Sequence, residues 1–223
     1  MANRTYANFW TRDHSEATII ERFKRLLETV PRSASRSGFA SLVIRAVSPA
    51  EAPVAEHDLR GVTLGPADVI ELAREHLEAD VAYEVEAYWD LWQRDADVGA
   101  WQRLPERLLL TFTGNMFDDG AAITDGDFIA DVGLEHLYTG HARLLGANGA
   151  RSAPSDPVEA EFLAIMTHEE YLHEYYEKTR LNIEQLLGWV RAVEQAVPLE
   201  TYRLSSEGEE NFEARLDEIL AAR

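Results

Sequence analysis

A chain of 223 residues with a net charge of −19 and no cysteine is long enough to bury a substantial core, and it excludes disulfides, thiol catalysis and thiolate metal ligation together. Site chemistry is left to imidazole, carboxylate and hydroxyl groups. The charge is uneven: residues 1–48 sum to +4, 49–155 to −13 and 156–223 to −10, a distribution that repels nucleic-acid phosphates and anionic membranes and favours cationic partners.

No apolar run approaches the ~18 residues of a membrane span, and the first thirty residues, carrying Asp13, Glu16, Glu21 and Glu28, lack the apolar core of a secretory signal. A cytoplasmic protein with no membrane segment is expected. The opening RTYANFW is strand-like, and Ser15 is placed to cap a helix through SEATIIERFKRLLETV that Pro31 follows. Ile19, Ile20, Phe23, Leu26, Leu27 and Val30 recur at helical spacing, which sends Arg22, Lys24 and Arg25 mostly outward.

After the polar turn RSASRSG, FASLVIRAV is apolar on both faces and reads as a central strand, whereas VAEHDLRGV is polar on both and reads as an edge. Pro66 opens a second helix, with Val69, Leu72, Ala73, His76 and Leu77 on one face. In VAYEVEAYWDLW the residues alternate, Val81 to Leu91 pointing one way and Ala82, Glu84, Glu86, Tyr88, Asp90 and Trp92 the other. RLLLTFT and DFIADV continue the strands across the turn DDGAAITDG, and the Asn, Asp and Gly of the loop from Asn115 to Asp127 are ordinary hairpin-turn residues.

The order β-α-β-β-α-β-β-β predicts an α+β fold, a ferredoxin-like (βαββαβ) sandwich extended by extra antiparallel strands, over residues 1–150. GANGARSAPSDP is a linker, and residues 151–223 are helical in pattern, packing on or extending from the sandwich. Asp156, Pro157 and Glu159 form a capping arrangement for one long helix, or two with a break near Gly188. Its apolar stripe is Val158, Phe162, Ile165, Leu172, Tyr176, Ile183, Leu187, Val190 and Val197, and ENFEARLDEILAA makes a final helix.

Glu169 falls within that stripe, where an unpaired carboxylate would be costly, and His173 lies one turn on, an i, i+4 pair able to hold a divalent metal. With His76 these residues define a low-specificity metal reading, a small hydrolase in which bound water is the nucleophile. The chain has no H-E-x-x-H, no second Glu-x-x-His element, no phosphate loop and no nucleophile elbow. An arginine partner for Glu169, or a helix that projects where this stripe is wet, is the simpler expectation.

Glu84, Glu86 and Asp90 stand on one strand face, alternate residues about 6.6 Å apart, beside Tyr88 and Trp92. Acid beside aromatic suits an ammonium or guanidinium. Arg22, Arg25, Arg32 and Arg36 could hold an anion around the turn after the first helix, or meet the acidic remainder of the chain. The leading expectation is therefore a non-catalytic, acidic, cytoplasmic binding protein, without cofactor, engaging a basic protein as an inhibitor or immunity-type partner through Glu84, Glu86, Tyr88, Asp90 and Trp92. The alternatives are the metal-dependent hydrolase and a structural subunit whose C-terminal helix builds a homo-oligomer.

Overall fold

A computed structural model describes residues 3–94, 100–140, 160 and 163–221. Seven strands form one sheet: β1 (Arg4–Thr11), β2 (Phe39–Ala46), β3 (Ala55–Asp58), β4 (Val81–Arg94), β5 (Trp101–Thr113), β6 (Phe128–Leu134) and β7 (Leu199–Ser206). Their order is β3-β2-β4-β5-β6-β1-β7, and every neighbouring pair is antiparallel. The helices are α1 (Glu16–Thr29), α2 (Pro66–Arg74), the short α3 (Ala122–Asp125) and α4 (His136–Thr139), the long α5 (Glu169–Ala196) and α6 (Phe212–Ala221).

The period-2 alternation read in β4 is realised from Tyr83 onward, Ala82 being buried as well. Val81, Tyr83, Val85, Ala87, Trp89 and Leu91 are buried, and the intervening Glu84, Glu86, Tyr88, Asp90 and Trp92 are half-buried on the opposite face. The buried set joins Phe9, Leu42, Leu110, Phe112 and Phe128 from other strands with Phe23 and Leu26 of α1 and Ile183, Leu186 and Trp189 of α5. Aromatic contacts fix the helices to this face: Phe23 stacks on Phe112 at 5.6 Å, and Trp189 meets Phe9 at 5.8 Å and Trp89 at 6.0 Å, edge on. Each such ring buries apolar area worth about 1.5–3 kcal/mol, so the layer of helices rests on this one face of the sheet.

The mixed α+β class, the antiparallel sheet and the long C-terminal helix match expectation. The connections differ from those of a simple ferredoxin-like unit. β3-α2-β4 is a split crossover with β2 between two parallel strands, and β6 and β7 flank β1 in the same way. β1 and β2, however, are separated by β6, β5 and β4, because β5 and β6 insert in the middle of the sheet instead of extending its edge.

In the segment read as wholly helical, β7 pairs with β1 as an edge strand. LETYRLSS is mostly exposed, with Leu204 as its one buried side chain, so its apolar signal was too thin to separate it from the flanking helices. The capping arrangement at Asp156, Pro157 and Glu159 lies outside the described residues; the described long helix starts after His168 and runs unbroken through Gly188. DDGAAITDG is not a simple hairpin turn but a short 3-10 turn (Phe117–Gly120) followed by α3.

Ser15 caps α1 as expected, its N–H donating to the Thr18 hydroxyl at 3.2 Å. Arg22 does not point outward. It is buried and donates to the Thr11 hydroxyl at 2.8 Å, its long side chain carrying the guanidinium along the apolar face to the end of β1.

Candidate functional site

β4 is the longest strand and runs past the end of β2. Its pairing with β2 stops at Ala87, while β5 follows it to Arg94. An antiparallel residue presents its N–H and C=O to the same side, so Tyr88, Asp90 and Trp92 offer backbone groups along an edge that β2 no longer covers. Buried or half-buried, those groups need partners.

Two elements supply them. From the turn after α1, the Ser33 N–H donates to the Tyr88 carbonyl at 2.9 Å, and the Ala34 N–H donates to the Asp90 carboxylate at 2.8 Å. From α5, Asn182 accepts from the Trp92 N–H at 2.8 Å and donates to the Trp92 carbonyl at 3.0 Å, and Gln185 donates to the Asp90 carbonyl at 3.1 Å. Asp90 thus serves as an anchor for the 33–36 turn. The Ser33 hydroxyl continues the staple by accepting from the N–H groups of Ser35 at 3.2 Å and Arg36 at 3.1 Å.

The five residues singled out on β4 do share the sheet face opposite the helical layer, and each already has a partner in its own chain. Arg45 donates to Glu84 at 3.1 Å, and Arg107 lies 3.4 Å from Glu86. The Tyr88 hydroxyl donates to Glu86 at 2.7 Å while the Arg36 guanidinium sits 4.7 Å from the Tyr88 ring centre. The Lys178 ammonium lies 4.3 Å over Trp92. Further along the sheet Arg203 covers Trp10 at 5.5 Å, and Arg4 reaches Asp131 at 2.8 Å.

The face is accordingly a ladder of carboxylates and rings with cations laid on them. Tyr88 titrates above the ordinary phenol value, first because its hydroxyl donates to the Glu86 carboxylate and then because of burial. Glu106 is raised too. Burial disfavours its charge more than the nearby Arg4 guanidinium favours it.

The acid excess lies elsewhere. Residues 169–221 hold 13 Asp and Glu against 5 Lys and Arg, and Glu169, Glu170, Glu177, Glu184, Glu194, Glu213, Asp217 and Glu218 of α5 and α6 are all exposed. This flank is one acidic surface of the chain; the exposed Glu51, Glu56, Asp58, Asp68, Glu71, Glu75 and Glu78 between β2 and β4 make another.

Glu169 is the first residue of α5, exposed next to its N-cap His168, where a carboxylate complements the helix dipole. The stripe read through Ile165, Leu172 and Tyr176 is not the buried one at this end, since Tyr176 is exposed and burial begins at Tyr175. Thr179 and Asn182 are buried on the true face, and their polarity hid it. His173 is exposed, and His76 is half-buried just beyond α2, its carbonyl accepting from Tyr83 at 3.0 Å. Among the described residues no group of three or more His, Asp and Glu is placed to hold a metal.

Beside Tyr88 opens a cleft of about 570 Å³, bounded by the 35–40 and 59–61 segments. Arg36, exposed in the sequence pattern, is brought there by the Ser33 staple, which RSASRSG signals only as a turn. No family model, curated protein or solved structure matches the chain. Among the described residues no helix is long and apolar enough to cross a membrane.

Proposed function

We propose that this is a non-catalytic binding protein of the cytoplasm that engages a basic protein through the sheet face bearing Glu84, Glu86, Tyr88, Asp90 and Trp92, on a sandwich built from split β-α-β crossovers of the ferredoxin-like kind. One observation carries the reading: Glu84, Glu86, Tyr88 and Trp92 on this face each lie against an Arg or Lys side chain of the same chain, while the Asp90 carboxylate accepts from a backbone N–H. These are the contacts that a partner's arginines and lysines would make, and they are held weakly. Half-exposed ion pairs contribute about 0–1 kcal/mol each, so an incoming guanidinium replaces them at little cost. The acidic α5–α6 flank supplies the long-range attraction that speeds encounter with a cationic surface.

The test begins with basic proteins enriched from the parent cell extract on the immobilised chain. Each is then purified and titrated against wild type and the E84K/E86K variant at low and physiological salt. A binder that is weakened at least tenfold by the double reversal, and whose association slows with salt, supports the reading. Should E84K/E86K bind every such protein as wild type does, or should the chain select only neutral and acidic proteins, the proposal fails.

A further inference from the structure

The cleft beside Tyr88 departs from the electrostatics of the rest of the molecule. In a chain with 40 Asp and Glu against 21 Lys and Arg, its ten lining residues include Arg36 and Arg60 and no acid. We infer that this cleft is a binding site for a small organic oxyanion, a phosphate ester or carboxylate carried on a flat apolar body. It adjoins the partner surface just proposed and shares Tyr88 with it, but it would select the opposite charge.

The two guanidinium groups are available in different ways. Arg36 has no carboxylate within ion-pair distance among the described residues. Its backbone is fixed by Ser33, and its guanidinium rests over the Tyr88 ring, whose hydroxyl donates to Glu86. Arg60 is about 70 % exposed, and its one ion pair among the described residues is with the equally exposed Asp58, at 3.8 Å, an acid that also accepts from the Arg60 N–H at 3.1 Å; the side-chain pairing is weak enough to yield to a better anion. Planar guanidinium groups recognise phosphate and carboxylate through paired N–H donors, and the exposed residue Ser37 adds a hydroxyl on the same wall as Ser35, whose hydroxyl lies 3.3 Å from that of Ser33.

The floor is apolar. Phe39 and Leu59, almost fully buried in the core, expose only a thin apolar strip at the base of the cleft, so the ring of a ligand meets them together with the Tyr88 ring and the backbone of Gly38 and Gly61. A volume of about 570 Å³ falls in the range of small-ligand sites, roughly 300–1,000 Å³. Pre-organisation comes from the two staples to β4, Ser33 to Tyr88 and Ala34 to Asp90, which spare the ligand the cost of ordering the turn.

The experiment titrates the full chain with phenyl phosphate, benzoate and benzylamine, by calorimetry and by amide chemical shifts. Phenyl phosphate or benzoate is expected to bind saturably with shifts concentrated at residues 35–40 and 59–61, and the tighter of the two identifies the headgroup. Arg36→Gln and Arg60→Gln should each weaken binding by about tenfold, with Arg36→Lys, which keeps charge but loses the fork, falling between. Both arginines are exposed, so an unchanged circular dichroism spectrum certifies the fold of each variant. Absence of saturable binding by either anion, equal binding of benzylamine, or indifference to both glutamine substitutions overturns the assignment.

Discussion

Replacing Asn182 by alanine tests how the long helix is joined to the sheet. The side chain is 1 % exposed and makes three hydrogen bonds: from the Trp92 N–H at 2.8 Å, to the Trp92 carbonyl at 3.0 Å and to the Leu137 carbonyl at 3.1 Å. The Leu137 bond is buried and the Trp92 pair partly so. A net hydrogen bond is worth about 1 kcal/mol and a buried group left without a partner costs about 1–3 kcal/mol, so the truncation should destabilise by about 3 kcal/mol. In a chain of this size that lowers the melting temperature by roughly 6–12 °C.

Urea unfolding of Asn182→Ala should show a lower midpoint with an unchanged slope, meaning lost stability and not a changed unfolded state. Asn182→Asp should be at least as damaging, since it aims a carboxylate oxygen at two carbonyls. Gln185→Ala provides the contrast: the Asp90 carbonyl also accepts from Arg103 at 2.6 Å, so its loss should cost under about 1 kcal/mol. An Asn182→Ala variant within about 0.5 kcal/mol of wild type, or a Gln185→Ala variant equally damaged, would refute the claim that side chains of α5 complete the uncovered edge of β4.

Asp90→Ala should release the 33–36 turn. Hydrogen exchange at the Ala34 amide is expected to accelerate about tenfold, matching the roughly 1.4 kcal/mol of a charge-assisted bond, while the amides of β5 stay protected. Glu106 predicts a pH dependence with a definite sign. Because burial raises its folded pKa above the ordinary 4.5, the folded state holds the proton longer than the unfolded one, so its contribution to stability falls as pH rises from about the unfolded value through the raised one. Glu106→Gln should flatten that decline in urea midpoints measured from pH 4 to 7. Gly133→Ala should destabilise by about 1–3 kcal/mol, since Gly133 has φ +119° and a Cβ there would lie 2.7 Å from Cγ of Glu106; a melting temperature equal to wild type would contradict this.

Local patterning carried much of the fold to the surface of the sequence. Strand β4 was legible almost to the residue, because a sheet with one buried face demands alternation, and Tyr83 to Leu91 obey it while Ala82 is buried as well. Helices α1 and α2 were announced by Ser15 and Pro66 together with their apolar spacing. Where polar side chains do the packing the pattern failed: Thr179 and Asn182 disguised the buried face of α5, and the thinly buried β7 passed for part of a helix. The site was half legible in the same sense. That Glu84, Glu86, Tyr88, Asp90 and Trp92 share a face followed from period two, but that Arg45, Arg107, Arg36 and Lys178 lie on them did not.

By itself, then, the sequence determined what is periodic and what is additive: the strands and helices with clear faces, the absence of thiol chemistry and the overall negative charge. Tertiary structure alone decided the strand order, the burial of Arg22, the exposure of Glu169 and the meeting of Arg36 with Arg60 around one cleft. The reason is physical. Burial of apolar faces acts through spacings of two to four residues and is written locally, whereas hydrogen bonds and ion pairs join groups dozens of residues apart, whose proximity exists only once the chain has closed on itself.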